Sequence, residues 1–131
     1  MKARMAELAG LAQLADAAFG AGQARMGALR QREVELRTTI AALDAQRNAR
    51  AQSLGEADPA LIAGADMLWH GWIDGRRSML NLALARNLAE QASARASLRV
   101  AFGRKQASDE LFSRAKTAAR VDTGRWSDRG Y

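Results

Sequence analysis

The amino-acid sequence predicts an all-α fold, a long antiparallel two-helix coiled-coil hairpin, and three observations lead to it. One heptad register can be written from residue 5 to residue 54 without a break. The only proline, Pro59, separates two uninterrupted stretches, and charged residues are spread along both instead of gathering in blocks. The 131 residues are 48% apolar and 26% charged, a composition that suits one folded domain rather than a disordered chain. Much of the apolar share is alanine, which favours helix but buries little area, and aromatic residues make up only 5%. The core is therefore expected to be thin.

Helix one is expected over about residues 2–54. Its seam follows two series seven residues apart. One is Met5, Ala12, Phe19, Met26, Glu33, Ile40, Arg47 and Leu54; the other is Leu8, Ala15, Gly22, Leu29, Leu36, Leu43 and Arg50. Glu33, Arg47 and Arg50 interrupt an otherwise apolar seam, and polar groups there lower stability while restricting register and partner number. Gly10, Gly20, Gly22 and Gly27 weaken the first half, each by roughly 0.8 to 1 kcal/mol relative to alanine where exposed. Two readings fit those glycines: they permit close helix approach, or they mark a segment that orders fully only on a partner.

The reversal is expected between Ser53 and Pro59, with Gly55 as the C-terminal cap, Asp58 as N-cap and Pro59 at the first helical position. Helix two is expected over about residues 59–119, with a clean start near Asp66 because Gly64 leaves room for a break. Leu61, Leu68, Trp72, Met79 and Leu82 mark one stripe on it, and Leu84, Leu88, Leu98, Phe102 and Phe112 another. Leu80, Leu84 and Leu88 step by four, which predicts a stutter near residues 80–84. Residues 121–131 lack periodicity and are expected to form a flexible basic tail. Arg120, Arg125 and Arg129 with Trp126 and Tyr131 give that tail a composition able to stack on single-stranded nucleic acid, although Asp122 and Asp128 offset part of its charge.

Little in the chain can carry catalysis. The absence of cysteine excludes disulfides, thiolate metal sites and a cysteine nucleophile. His70 is the single histidine, so any Ser-His-Asp set or histidine-rich metal site is confined to it; Asp66 and Asp74 nearby are too few to make a metal site. No phosphate-binding loop occurs, and Gly20, Gly22 and Gly27 lie within a helical heptad with no preceding strand. A non-enzymatic protein with no cofactor, no metal and no small-molecule substrate is expected. Glu7, Gln13 and Asp16 interrupt the N-terminal apolar run before it could serve in export, and no uncharged stretch reaches the roughly 18 to 20 residues of a membrane span. A soluble, cytoplasmic protein is expected.

The net charge of +6 favours acidic partners, nucleic acid or anionic lipid, but acidic residues intersperse the arginines, so solvated helix faces are the favoured account. The sharpest local feature is Leu68-Trp69-His70-Gly71-Trp72-Ile73. Trp69 and Trp72 cannot both enter a two-helix seam alongside Leu68 and Ile73, so one ring is expected to face outward. An exposed tryptophan beside Arg76 and Arg77 has the composition of a protein-binding anchor with charge at its rim. The plainer reading is that both rings widen the core near the hairpin's bend.

With the hairpin, the charge and the tryptophan pair in hand, the chain resembles the flagellar export protein FliJ family, the soluble stalk of the type III export ATPase. The resemblance is carried by two long helices, by Trp72 and Ile73 opening the main part of helix two, and by the stretch 101–112, where Arg104, Lys105, Asp109 and Glu110 lie between Phe102 and Phe112. It implies a stalk whose paired termini enter a hexameric export ATPase, and a helix two that touches the membrane export gate. Export chaperones are further implied partners, and the location is cytoplasmic with peripheral attachment at the inner-membrane export apparatus. Aligned on Trp72 and Ile73, the family's gate-contacting positions fall on Ser78, Leu82 and Ala85, with Ser78 standing where some members carry an aromatic residue. Two alternatives from other classes are a basic helical nucleic-acid-binding protein and a coiled-coil assembly scaffold.

Overall fold

The computed structural model describes residues 2–53 and 59–130, and of residues 60 and 61 only the backbone. Two helices account for nearly all of it: α1, Lys2–Ser53, and α2, Pro59–Arg129. They pack against each other as an all-α hairpin, and no strand occurs among the described residues. The reversal with its caps at Gly55 and Asp58, and the seam position Leu54, lie outside the described residues. Pro59 opens α2 as expected, because its fixed φ and missing N–H suit the first turn of a helix.

The α1 register holds throughout. Every described position of both seven-residue series is buried or half-buried, including Glu33, Arg47 and Arg50. The glycines do not interrupt the helix. Only Gly22 serves a close approach: a Cβ there would lie 2.9 Å from Cδ1 of Leu98, whereas Gly10, Gly20 and Gly27 face open space.

On α2 three expectations are corrected. The helix that opens at Pro59 runs through Gly64 and Asp66 without a break, and it continues to Arg129, so residues 121–129 belong to it rather than to a separate tail. In this last stretch Thr123 and Ser127 donate hydroxyl hydrogen bonds to the carbonyls of Ala119 and Gly124. The first expected stripe also lies off the packed face. Residues 66, 73, 80, 87, 94, 101, 108, 115 and 122, and with them 70, 77, 84, 91, 98, 105, 112 and 119, are seven apart and all buried or half-buried, so no stutter falls at 80–84, and Leu84, Leu98 and Phe112 of the second expected stripe lie on this face. Leu68, Trp72, Met79 and Leu82 lie away from it, at 79, 59, 67 and 52% exposure.

The chain divides into two compact units, each built from both helices. One comprises Gly27–Ala92 and holds the better core. Leu36, Leu43, Ile73 and Leu80 form its centre, with Ile40, Trp69, Ala83 and Leu84 packed around it. The other comprises Met1–Met26 and Ser93–Tyr131. Its buried residues are Ala15, Met26, Ala94 and Ser108, and Phe19 and Phe102 meet with ring centroids 5.5 Å apart. Small side chains dominate this seam, the thin core that an alanine-rich composition predicts.

Candidate functional site

In the Gly27–Ala92 unit the seam changes chemistry along its length. Beside the apolar centre, Asn87 and Gln91 are buried at 6 and 5% exposure. Asn87 donates to the Leu29 carbonyl at 3.0 Å, while Gln91 donates to Oε1 of Glu33 and to Oδ1 of Asn87, each at 2.7 Å. Arg37 donates to the other Glu33 oxygen at 2.8 Å. The Gln91 hydrogen bond first, then the one from Arg37, holds the Glu33 carboxyl below its ordinary pKa. The polar seam residue therefore has partners from both helices, and a shift of register would strip them.

On the other side of the apolar centre, charged pairs replace hydrophobic contact. Arg47 pairs with Asp74, Arg50 with Asp66 at 3.3 Å, and Arg77 with Asp44 at 3.3 Å. The Arg50 guanidinium also lies 4.5 Å from the Trp69 ring centroid. His70 contacts Asp66 at 3.2 Å. Asp74 is engaged by Arg47 from the other helix, and among the described residues no group of three or more His, Asp or Glu is placed to hold a metal ion.

These contacts divide the six candidate partner-binding residues. Trp69 packs against the core under Arg50, and Arg77 is half-buried against Asp44, so both serve the hairpin itself. Trp72, Arg76, Leu82 and Ala85 are exposed, as is Ser78. Of the two tryptophans in the cluster, Trp72 is therefore the outward one. At 3.6 residues per turn, Leu68, Trp72, Met79 and Leu82 fall within an arc of roughly 80° and extend over roughly 21 Å of helix. Gly71 and Gly75 lie on the same stretch of α2, and a Cβ at either would meet nothing within 4 Å. Trp72 thus belongs to an open apolar strip, with the exposed Arg76 on the next turn.

A second surface escaped sequence reading. In the unit that carries both chain ends, an open apolar groove runs between α1 and α2. Leu14 at 71%, Leu111 at 49% and Leu11 at 48% exposure line its first section. Leu8, Leu11 and Leu14, three apart and each followed by alanine, carried the signal, since more apolar positions occur there than one seam can use.

Among the described residues no helix is long and apolar enough to cross a membrane. No family model, curated protein or solved structure matches the chain.

Proposed function

We propose that this chain is a protein-binding helical adaptor without active-site chemistry, of the stalk type that couples an export ATPase to its export gate. The observation that carries the binding role is the strip of Leu68, Trp72, Met79 and Leu82, four large apolar side chains left on one open face of α2. Large exposed apolar strips rimmed by charge mark interaction sites, and a tryptophan between two glycines makes an efficient anchor. The partner most suited to such a strip is an amphipathic helix or the apolar face of a helical bundle.

The stalk reading rests on the resemblance set out above. Ser78, Leu82 and Ala85, the positions aligned with gate contacts, are all exposed and available to a partner. A hexameric export ATPase, an export gate and export chaperones are the partners it names, with a cytoplasmic location peripheral to the export apparatus.

Binding and turnover test the two levels separately. The export ATPase from the same cell should change its ATP hydrolysis rate when the intact chain is added at saturation, and an unchanged rate overturns the stalk reading. Capture of a partner that persists after Trp72→Ala combined with Leu82→Ala, with helicity intact, overturns the binding role of the α2 strip.

A further inference from the structure

The +6 charge is not shared between the two units. Read from the sequence, Gly27–Ala92 contains eight basic and eight acidic residues, whereas Met1–Met26 with Ser93–Tyr131 contains twelve basic and six acidic ones. The entire excess therefore sits in the unit that also holds the open groove. Its first section, of about 450 Å³, shares Leu111 with a second of about 460 Å³ on the same side of the seam, and a third of about 550 Å³, which shares Met5 with the second, opens at the paired helix ends. Its floor is largely alanine, and Arg104, Arg4, Arg114 and Lys2 stand along it, with Asp122 as the single acid. Arg114 pairs with Glu110 on its own helix, while Lys2, Arg4 and Arg104 have no ion-pair partner among the described residues.

We infer that this groove is the docking site for an acidic amphipathic helix of another protein, lying as a third helix against α1 and α2. Three features select that occupant. From Ala101 to Ala118 the first two sections follow 18 residues of α2, roughly 26 Å at 1.5 Å per residue, which matches about five turns of helix. An alanine floor beside exposed leucines accepts a helix with apolar residues at i, i+3, i+4 and i+7, because small side chains allow close axial approach. The basic rim then calls for Asp and Glu on both flanks of that apolar stripe, where complementary charge speeds association and rejects wrong partners. A second copy of this chain is disfavoured on the same ground, since it would bring another unit with twice as many basic as acidic residues. Nucleic acid would satisfy the rim but leave Leu11, Leu14 and Leu111 in water.

The inference does not depend on the stalk reading, and a test on the intact chain separates the two. Three fluorescein-labelled probes are titrated: a 25-residue helical peptide with leucine along one stripe and glutamate on its flanks, the same peptide with lysine for glutamate, and a single-stranded oligonucleotide. The glutamate peptide should bind at least tenfold tighter than the lysine peptide, and its affinity should fall as salt rises. Leu14→Gln with Leu111→Gln, both at exposed positions so that helicity is retained, should weaken it at least tenfold, while Val34→Ala, at an exposed position of the other unit, leaves it unchanged. Equal binding of the two peptides, no binding of the glutamate peptide, or indifference to the leucine changes overturns the inference. So does tighter binding of the oligonucleotide in competition with the glutamate peptide, or sedimentation as a dimer that Leu14→Gln dissociates.

Discussion

Replacing Ile73 by alanine tests which face of α2 forms the core. Ile73 is fully buried, at 0% exposure, against Leu36 at 2%. The substitution deletes three carbon groups, about 2.4 kcal/mol at about 0.8 kcal/mol each. A cavity adds to this where the surroundings cannot collapse, which places the expected cost at about 2.5 to 4 kcal/mol. Leu68→Ala deletes the same number of groups from a side chain that is 79% exposed, so about a fifth of the transfer term, roughly 0.5 kcal/mol, is at stake. Urea unfolding followed by far-ultraviolet circular dichroism, with tryptophan fluorescence reporting on Trp69 beside the core, measures both variants. A gap of about 2 kcal/mol or more between them is expected. Equal costs would refute the packing described here, because they would place the Leu68 stripe, not the Ile73 face, against α1.

Three further outcomes follow from the seam. Gly27→Ala should stabilise the chain by about 0.5 to 1 kcal/mol, since the added Cβ meets open space in a helix interior, whereas Gly22→Ala should gain less because the Leu98 side chain must move; thermal unfolding ranks the two. Glu33 has a folded-state pKa below its unfolded value of 4.5, so its contribution is present above that pH and is lost as the pH falls through the lower folded value. Glu33→Gln should flatten the acid limb of the stability profile below pH 4.5, and an unchanged limb removes the Gln91 and Arg37 contacts as its cause. Arg50→Ala should expose and redshift Trp69 emission and cost about 1 kcal/mol, the sum of a half-exposed ion pair and a cation–π contact; unchanged emission would show that the guanidinium does not cover the ring.

Much of the fold was legible because α1 obeys one rule along its whole length. Seven-residue spacing alone located its packed face, including the charged positions Glu33, Arg47 and Arg50 that a hydrophobicity count would have rejected. On α2, Leu84, Leu98 and Phe112 of the second expected stripe do lie on the packed face, whereas the first stripe does not, for the complementary reason. The true seam of α2 contains Asp66, Arg77, Asn87 and Gln91, while Leu68, Trp72, Met79 and Leu82 make the more apolar stripe on the open side. Hydrophobicity ranks those two faces in the wrong order. What decides between them is pairing across helices, Arg47 with Asp74, Arg77 with Asp44, and Glu33 with Gln91, and no single-helix pattern contains it. The tryptophan cluster was read correctly as having one outward ring, since sterics alone forbade both from entering the seam, but only contacts could assign it to Trp72.

A hairpin of two helices has one shared seam, and whatever apolar surface exceeds it must face water or a partner. Two of the surfaces left over differ in electrostatics, an α2 strip in a unit of balanced charge and a groove in a unit with twice as many basic as acidic residues. The difference matters for recognition, because apolar area supplies affinity without much selectivity, whereas the charge around it decides which apolar helix is accepted. The polar seam works in the same direction. Asn87, Gln91 and Glu33 contribute less to stability than leucine would at those positions, yet a slip of one helix past the other would leave buried amides unpaired. A fixed register keeps side chains from α1 and α2 aligned on their surfaces, which a binding face built from both helices requires.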